Sequence, residues 1–290
     1  MAQKQIEELS ELLTAIENDD VFIVNNDGET KKIKASLLAW ELVELFASED
    51  PAGLHKSLWR GKYLGSSVTK AQYEEIKNGT FHDLWLGDYW TINKMNYRIG
   101  DINYWLGTGD VECTQNHLLI IPDKALYNAQ MNTTNTTGST TEGAYVGSEM
   151  YKTNLATAKA TINAAFGEDH ILNHRELFAT NLSADGDPTG ESGGAWYDST
   201  VDLMNEIMVY GCNIFHNVEA KGNPAANTTI DKTQIRMFKI APEFITTRAA
   251  WWLRDVVSST RFAHVSGLGT AINRVASNSY GVRLAFGIIG

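Results

Sequence analysis

Trp251-Trp252-Leu253-Arg254-Asp255 and Gly281-Val282-Arg283-Leu284-Ala285-Phe286 are the stretches on which the fold turns. Each sets bulky apolar residues around an arginine, the pattern of a strand with a buried face. In the second, Val282, Leu284, Phe286 and Ile288 alternate onto one face and Arg283 onto the other. Arg254 and Arg283 are flanked by apolar residues, so each guanidinium is expected to be tied to a carboxylate or to carbonyls. With Trp252 they form a structural platform. Between the strands, residues 258–264 and 270–280 mix Ser and Asn with Arg, His, Phe and Tyr. Aromatic and Arg anchors among adaptable polar residues are the chemistry of a binding surface. The candidate contacts are Arg261, Phe262, His264, Asn273, Arg274, Asn278 and Tyr280; the competing reading is a pair of solvated loops.

The 290-residue chain has room for one large domain with an appendage, or for two modest ones. Its net charge of −11 argues against binding nucleic acid. That charge is uneven: residues 1–50 carry twelve acidic and four basic side chains, a net of −8. No basic segment followed by an apolar one opens the chain, and no apolar run reaches the roughly 18 residues of a membrane helix. The expectation is a protein made in a cytoplasm that inserts in no membrane. Cys113 and Cys212 are then expected as two buried thiols. No Cys-x-x-Cys occurs, so no structural zinc is expected, and no metal ligand or cofactor is assigned. The sequons at Asn132, Asn135, Asn181 and Asn227 would matter only in a secreted eukaryotic protein.

Ile6, Leu9, Leu13 and Ile16 form an a/d seam of two heptads on a helix over residues 4–17. Two heptads do not hold a coiled coil alone; the seam could pack on its own domain, and the reading adopted is that it packs against a partner chain. Residues 20–34 read as a strand, an Asp-Gly turn and a second strand. Ser36 then caps a helix lined by Leu38, Leu42 and Leu45. Residues 1–50 thus form a small helix–hairpin–helix anchor, and residues 51–80 a neck and linker helix. Within the latter, Thr69 to Gln72 is a capping box and Gly79 a left-handed stop.

From Phe81 the texture becomes aromatic and strand-like: Leu84–Leu86, Tyr89–Ile92, Met95–Ile99 and His117–Ile121. Residues 132–143, 182–194 and about 219–234 read as loops. One helix opens at Ser148 and closes at Gly167, with Leu155, Ile162 and Phe166 on its inner face. Ser199 caps another, which runs through Met208 and stops before Gly211. Two helices beside antiparallel strands make an α+β domain over residues 81–290.

Catalytic signals are thin. His170 and His174 share a helical i, i+4 spacing but lack the Glu of a metalloprotease motif. Their plain reading is two polar residues near a helix end. Asp198, Asp202 and Glu206 also share a helical spacing, though Asp202 serves more simply as the N3 partner of Ser199. No Gly-x-Ser-x-Gly and no phosphate-cradling loop occurs. Paired glycosidase carboxylates meet only in a fold, so that alternative stays open. No catalytic residue is assigned, and the chain is not expected to be an enzyme.

Two resemblances add to this. Residues 20–24 followed by 30–38 resemble the N-terminal segment of bacteriophage fibre and tail proteins, where the fibre joins the particle. More broadly, Phe81–Trp90, Met95–Ile99, Gly147–Met150, Phe238–Pro242, Trp251–Asp255 and Gly281–Phe286 occur in the order seen in C-type-lectin-like domains of phage and gut-bacterial surface proteins. That resemblance implies a mixed antiparallel sheet with two helices and long loops, and a receptor-contacting stretch between the last strands. Many such proteins have Pro where Leu284 stands. The Glu-Pro-Asn, Gln-Pro-Asp and Trp-Asn-Asp motifs of calcium-dependent lectins are absent, as are the paired cysteines of formylglycine-generating enzymes.

The combined expectation is a phage virion protein assembled in the host cytoplasm, forming a homotrimer. It would join other virion proteins through its N-terminal segment. A C-terminal C-type-lectin-like domain would meet a host surface glycan or protein as a tail or baseplate receptor-binding protein. The alternatives are a head fibre or capsid decoration protein, and a glycan depolymerase.

Overall fold

The computed structural model describes residues 21–26, 29–38, 51–134, 143–182, 191–215 and 233–290. The chain divides into two compact units, Met1–Leu54 and His55–Gly290. In the first, β1 (Val21–Asn26) and β2 (Glu29–Lys34) pair antiparallel from Val21↔Lys34 to Asn26↔Glu29. This is the expected hairpin. A two-stranded ribbon is marginal by itself. Val21 and Ile23 alternate onto one exposed side, opposite Lys34 and Lys32. The seam of Ile6, Leu9, Leu13 and Ile16, and Leu42 and Leu45 of the following helix, lie outside the described residues. A short helix α1 (Pro51–His55) spans the boundary between the units.

The second unit is α+β. Its first elements are β3 (Tyr63–Gly65) and the helix α2 (Lys70–Asn78). The capping box is present: Thr69 Oγ1 accepts from Gln72 N at 3.2 Å, and the Gln72 amide accepts from Thr69 N at 3.0 Å. Gly79 ends the helix at φ 71°, in the left-handed region. The helix is fastened into the unit, since Tyr73 donates to Phe166 O and Trp90 Nε1 to Gln72 Oε1.

Next come β4 (Tyr89–Ile92), β5 (Met95–Ile102), β6 (Leu118–Pro122) and β7 (Tyr127–Gln130). Leu84–Leu86 is a turn and not the expected strand. Asp88, wholly buried, accepts from Trp85 N and Lys62 N, and Gly87 takes φ 86°, which curls the chain there. After a short α3 (Ala144–Gly147) and a π-helical turn at Met150–Asn154, α4 (Leu155–Phe166) buries Leu155, Ile162 and Phe166. Gly167 closes it at φ 88°.

Three expectations fail beyond this point. His170 stands in a 3-10 turn (Glu168–His170) and His174 opens β8 (His174–Leu182), so they share no helix. Of the loop expected over residues 182–194, Leu182 and residues 191–194 are strand, and residues 183–190 lie outside the described residues. β8 reaches Leu182, and β9 (Glu191–Ser199) pairs back along it. Gly194 and Gly193 are held by backbone pairing that is indifferent to side chains, opposite Ala179 and Asn181, with Leu177 opposite Trp196 and Glu176 opposite Tyr197. Ser199 caps no helix. Residues Val201–Leu203 form β10, and the helix α5 (Glu206–Tyr210) begins later, capped by Asn205 Oδ1 on Met208 N at 2.8 Å. Cys113 is buried, but Cys212 is exposed, and both are free thiols.

The C-terminal part runs through α6 (Arg236–Ile240) and a 3-10 turn (Pro242–Ile245). There follow β11 (Trp251–Ser258), β12 (Arg261–Val265), β13 (Ala271–Val275), β14 (Ser279–Val282) and β15 (Leu284–Ile288). The strands form a six-stranded sheet, β10-β15-β6-β5-β4-β3, and a five-stranded one, β13-β12-β11-β14-β7. Two chain segments cross from one sheet to the other side by side. Val282 pairs with Tyr127 in one sheet, and Phe286 with Ile120 in the next. Arg283 marks the crossing, so the expected last strand is two. The opening bracket closes on itself, because β11 lies parallel to β14 with Trp251 opposite Gly281. A core of Leu119, Ile121, Met204, Trp251, Leu253 and Val265 fills the space behind.

Candidate functional site

Pairing in the five-stranded sheet decides which candidate contacts share a face. Side chains directly opposite one another in an antiparallel pair point the same way. His264 stands opposite Trp252 and Ile272, and Phe262 opposite Val256 and Arg274. These residues therefore share the sheet face opposite the one that carries Trp251, Ala263 and Val265. Asn273 pairs with Ala263, and Arg261 alternates with Ala263 and Val265 along β12. Arg261 and Asn273 thus belong to the core-side face at its outer end, where Arg261 Nη1 donates to Asn273 Oδ1 at 3.2 Å. The pleat splits the candidate set in two.

Burial divides it again. Phe262 is wholly buried and His264 retains 3% of its exposure, so neither side chain can be a contact residue at the surface. They are the support. The His264 ring stacks on Tyr280 with centroids 4.8 Å apart, and Trp252 meets Tyr280 edge-on at 5.0 Å. Trp252 Nε1 donates to Ala129 O at 2.9 Å and His264 Nδ1 lies 3.0 Å from Ile272 O, which fixes both rings. Asn278 Nδ2 donates to the Tyr280 hydroxyl at 3.1 Å. What reaches solvent on this face is the half-buried Tyr280, Asn278 beside it, and the exposed Arg274. Burial lowers the His264 pKa below 6.5, and nearby Arg274 adds to this, so the ring is neutral at neutral pH.

The platform arginines differ. Arg254 Nη2 meets Glu176 Oε1 at 2.5 Å and Nη1 reaches Leu203 O at 3.3 Å, beneath the ring of Phe178. Among the described residues Arg283 has no carboxylate partner. Its Nε donates to Pro122 O at 2.9 Å and its Nη1 to Phe244 O at 2.8 Å, against the rings of Trp251 and Phe238. Burial pushes its pKa down to about 9.

Two clefts open elsewhere on the unit. One, of about 260 Å³, is lined by Cys113, His174, Arg175 and Asp198 among others. His174 Nε2 lies 3.2 Å from Glu176 Oε2, and Arg175 is forked between Asp110 and Asp198. The other, of about 270 Å³, runs between Asp123–Lys124 and the segment from Glu243 to Arg248. The first brings together His174 and Asp198, each singled out in the sequence for a helical spacing that the fold does not use; no motif flagged the second, whose two segments lie far apart in the sequence. The local signal for the second was Pro122-Asp123-Lys124, a strand stop followed by two charges. Among the described residues no group of three or more His, Cys, Asp or Glu is placed to hold a metal ion. Comparison of the chain with protein-family models, with curated proteins and with solved structures found no match.

Proposed function

We propose that this chain is a bacteriophage virion protein, a tail or baseplate receptor-binding protein whose C-terminal unit is C-type-lectin-like. Adhesion runs through the outer face of its five-stranded sheet. The observation that carries the reading is Tyr280, an aromatic side chain stacked on His264, braced by Trp252 and hydrogen-bonded by Asn278. A ring immobilised before binding costs little further entropy, and Arg274 and Asn278 supply polar contacts around it. The lectin-like assignment is supported by mixed sheets accompanied by the helix α4 and by the side-by-side placement of β11 and β14.

As a homotrimer anchored by its N-terminal segment, the protein would gain adhesion from several weak sites acting together. The hairpin β1–β2, a ribbon needing a neighbour for stability, fits such an anchor. Purified protein should compete with particles for adsorption to host cells, and Arg274→Ala/Tyr280→Ala should not. Immunogold labelling should place the protein at the tail. Labelling of the capsid with no competition would sink the proposal.

A further inference from the structure

The corner where β6–β7 and β14–β15 change sheets is built around two arginines, and the second cleft opens over it. Arg98 grips both oxygens of Asp123, at 2.9 and 2.8 Å, with its guanidinium against the rings of Tyr89 and Phe244. The Asp123 charge is thereby neutralised. Arg283 lies behind the wall, bonded to the carbonyls of Pro122 and Phe244, and its buried Nη2 has no hydrogen-bond partner among the described residues. At the mouth stand Lys124, Arg248 and Glu243, all exposed and without an ion pair among the described residues. Two free cations face one free carboxylate, with an uncompensated guanidinium behind them. In a chain of net charge −11 this is a local positive site.

The remaining lining supplies hydroxyl chemistry. Thr247 Oγ1 donates to Ala249 O at 2.7 Å and Thr246 Oγ1 to Leu268 O at 3.4 Å, which leaves both oxygens as acceptors. Glu243 adds another. The β12–β13 hairpin tip is pressed against this wall, since a Cβ on Gly269 would come within 2.6 Å of Thr246 Oγ1. The volume, about 270 Å³, is smaller than a typical drug-sized pocket and suits one small polar unit.

We propose that this cleft binds an anionic saccharide unit, with its carboxylate or phosphate between Lys124 and Arg248 and its hydroxyls on Glu243, Thr246 and Thr247. This deepens the adhesive reading of the unit and rests on it, but the site is separate from the Tyr280 face.

Calorimetry on the full-length protein with sodium D-glucuronate, glycerol 1-phosphate and D-glucose tests it. One or both anions should bind and glucose should not. Binding of glucuronate alone identifies a carboxylate site, and of glycerol phosphate alone a phosphate site; binding of both shows that charge is what is read. Lys124→Ala/Arg248→Ala, two exposed positions, should weaken anion binding about tenfold or more with an unchanged melting temperature. Arg274→Ala/Tyr280→Ala should keep it, which separates this site from the adsorption face. Equal binding of glucose, binding of neither anion, or anion binding unchanged in the Lys124/Arg248 variant would overturn the proposal.

Discussion

Arg254 on β11 and Glu176 on β8 meet at 2.5 Å with 3% and 1% of their side chains exposed, which ties the five-stranded sheet to the β8–β9 hairpin. Glu176 is shared further, its other oxygen accepting from Trp105 Nε1 at 3.1 Å. Removing one member of such a pair strands the other charge in a medium that cannot solvate it. Glu176→Gln should therefore cost about 3–5 kcal/mol in urea unfolding. Adding Arg254→Met should recover part of that loss. A single-variant loss under about 1 kcal/mol would show that the pair behaves as a surface ion pair does.

Gly281 lies where β14 leaves one sheet for the other, and a Cβ there would come 2.6 Å from Ala125 Cβ and 3.1 Å from Ala250 O. The Ala250 carbonyl already accepts from Gly281 N at 2.9 Å, so the backbone cannot withdraw. Gly281→Ala should destabilise the unit by about 1–3 kcal/mol, read as a lower melting temperature. An unchanged melting temperature would mean that the corner has slack.

How far the sequence foretold this structure depended on the range of the forces involved. Local signals read well: the Thr69 capping box, the Gly79 and Gly167 stops, and the β1–β2 hairpin all lie within a few residues of the groups they govern. The sheet corner did not. Val282, Leu284, Phe286 and Ile288 alternate as one strand would, and only the partners Tyr127 and Ile120 reveal that Arg283 divides it. The same limit applied to the contact face. Composition grouped Phe262 and His264 with Arg274 and Tyr280, but the layers packed over the sheet left only the latter two at the surface.

Thr69→Ala should remove one half of the capping box on α2 and cost about 1 kcal/mol. Because α2 is tied to Phe166 and Trp90, the loss should appear as a shift of the whole unfolding transition and not as local fraying. Hydrogen exchange at the first amides of α2 separates the two. Faster exchange there with an unchanged global midpoint would contradict this coupling.

Asp101 is buried on β5 with Oδ1 accepting from Ile102 N and Oδ2 from Arg236 N. Burial raises its pKa from 3.8 to about 6, an effect that these two hydrogen bonds only partly offset. The folded state thus holds this proton more tightly than the unfolded chain. Its contribution to stability is full below about pH 4, falls as the pH rises through 6, and amounts to about 3 kcal/mol. Asp101→Asn should flatten that slope, measured as unfolding free energy from about pH 4 to 7. A slope unchanged in the variant would place its origin in another group.

His264 works in the opposite sense. Its folded pKa lies below the ordinary 6.5, so the unfolded chain takes up the proton first. Stability tied to His264 is present above 6.5 and is lost as the pH falls through the lower folded value. A protonated ring would be stacked on Tyr280 next to Arg274, with its Nδ1 already facing the Ile272 carbonyl. Mild acid should therefore loosen the Tyr280 face before the rest of the unit unfolds, and His264→Phe should remove the effect. Tyr280 fluorescence is masked by the eight tryptophans, so the measurement is NMR of the Tyr280 ring against pH. A Tyr280 resonance that titrates identically in the wild type and in His264→Phe would show that the stack does not report the histidine.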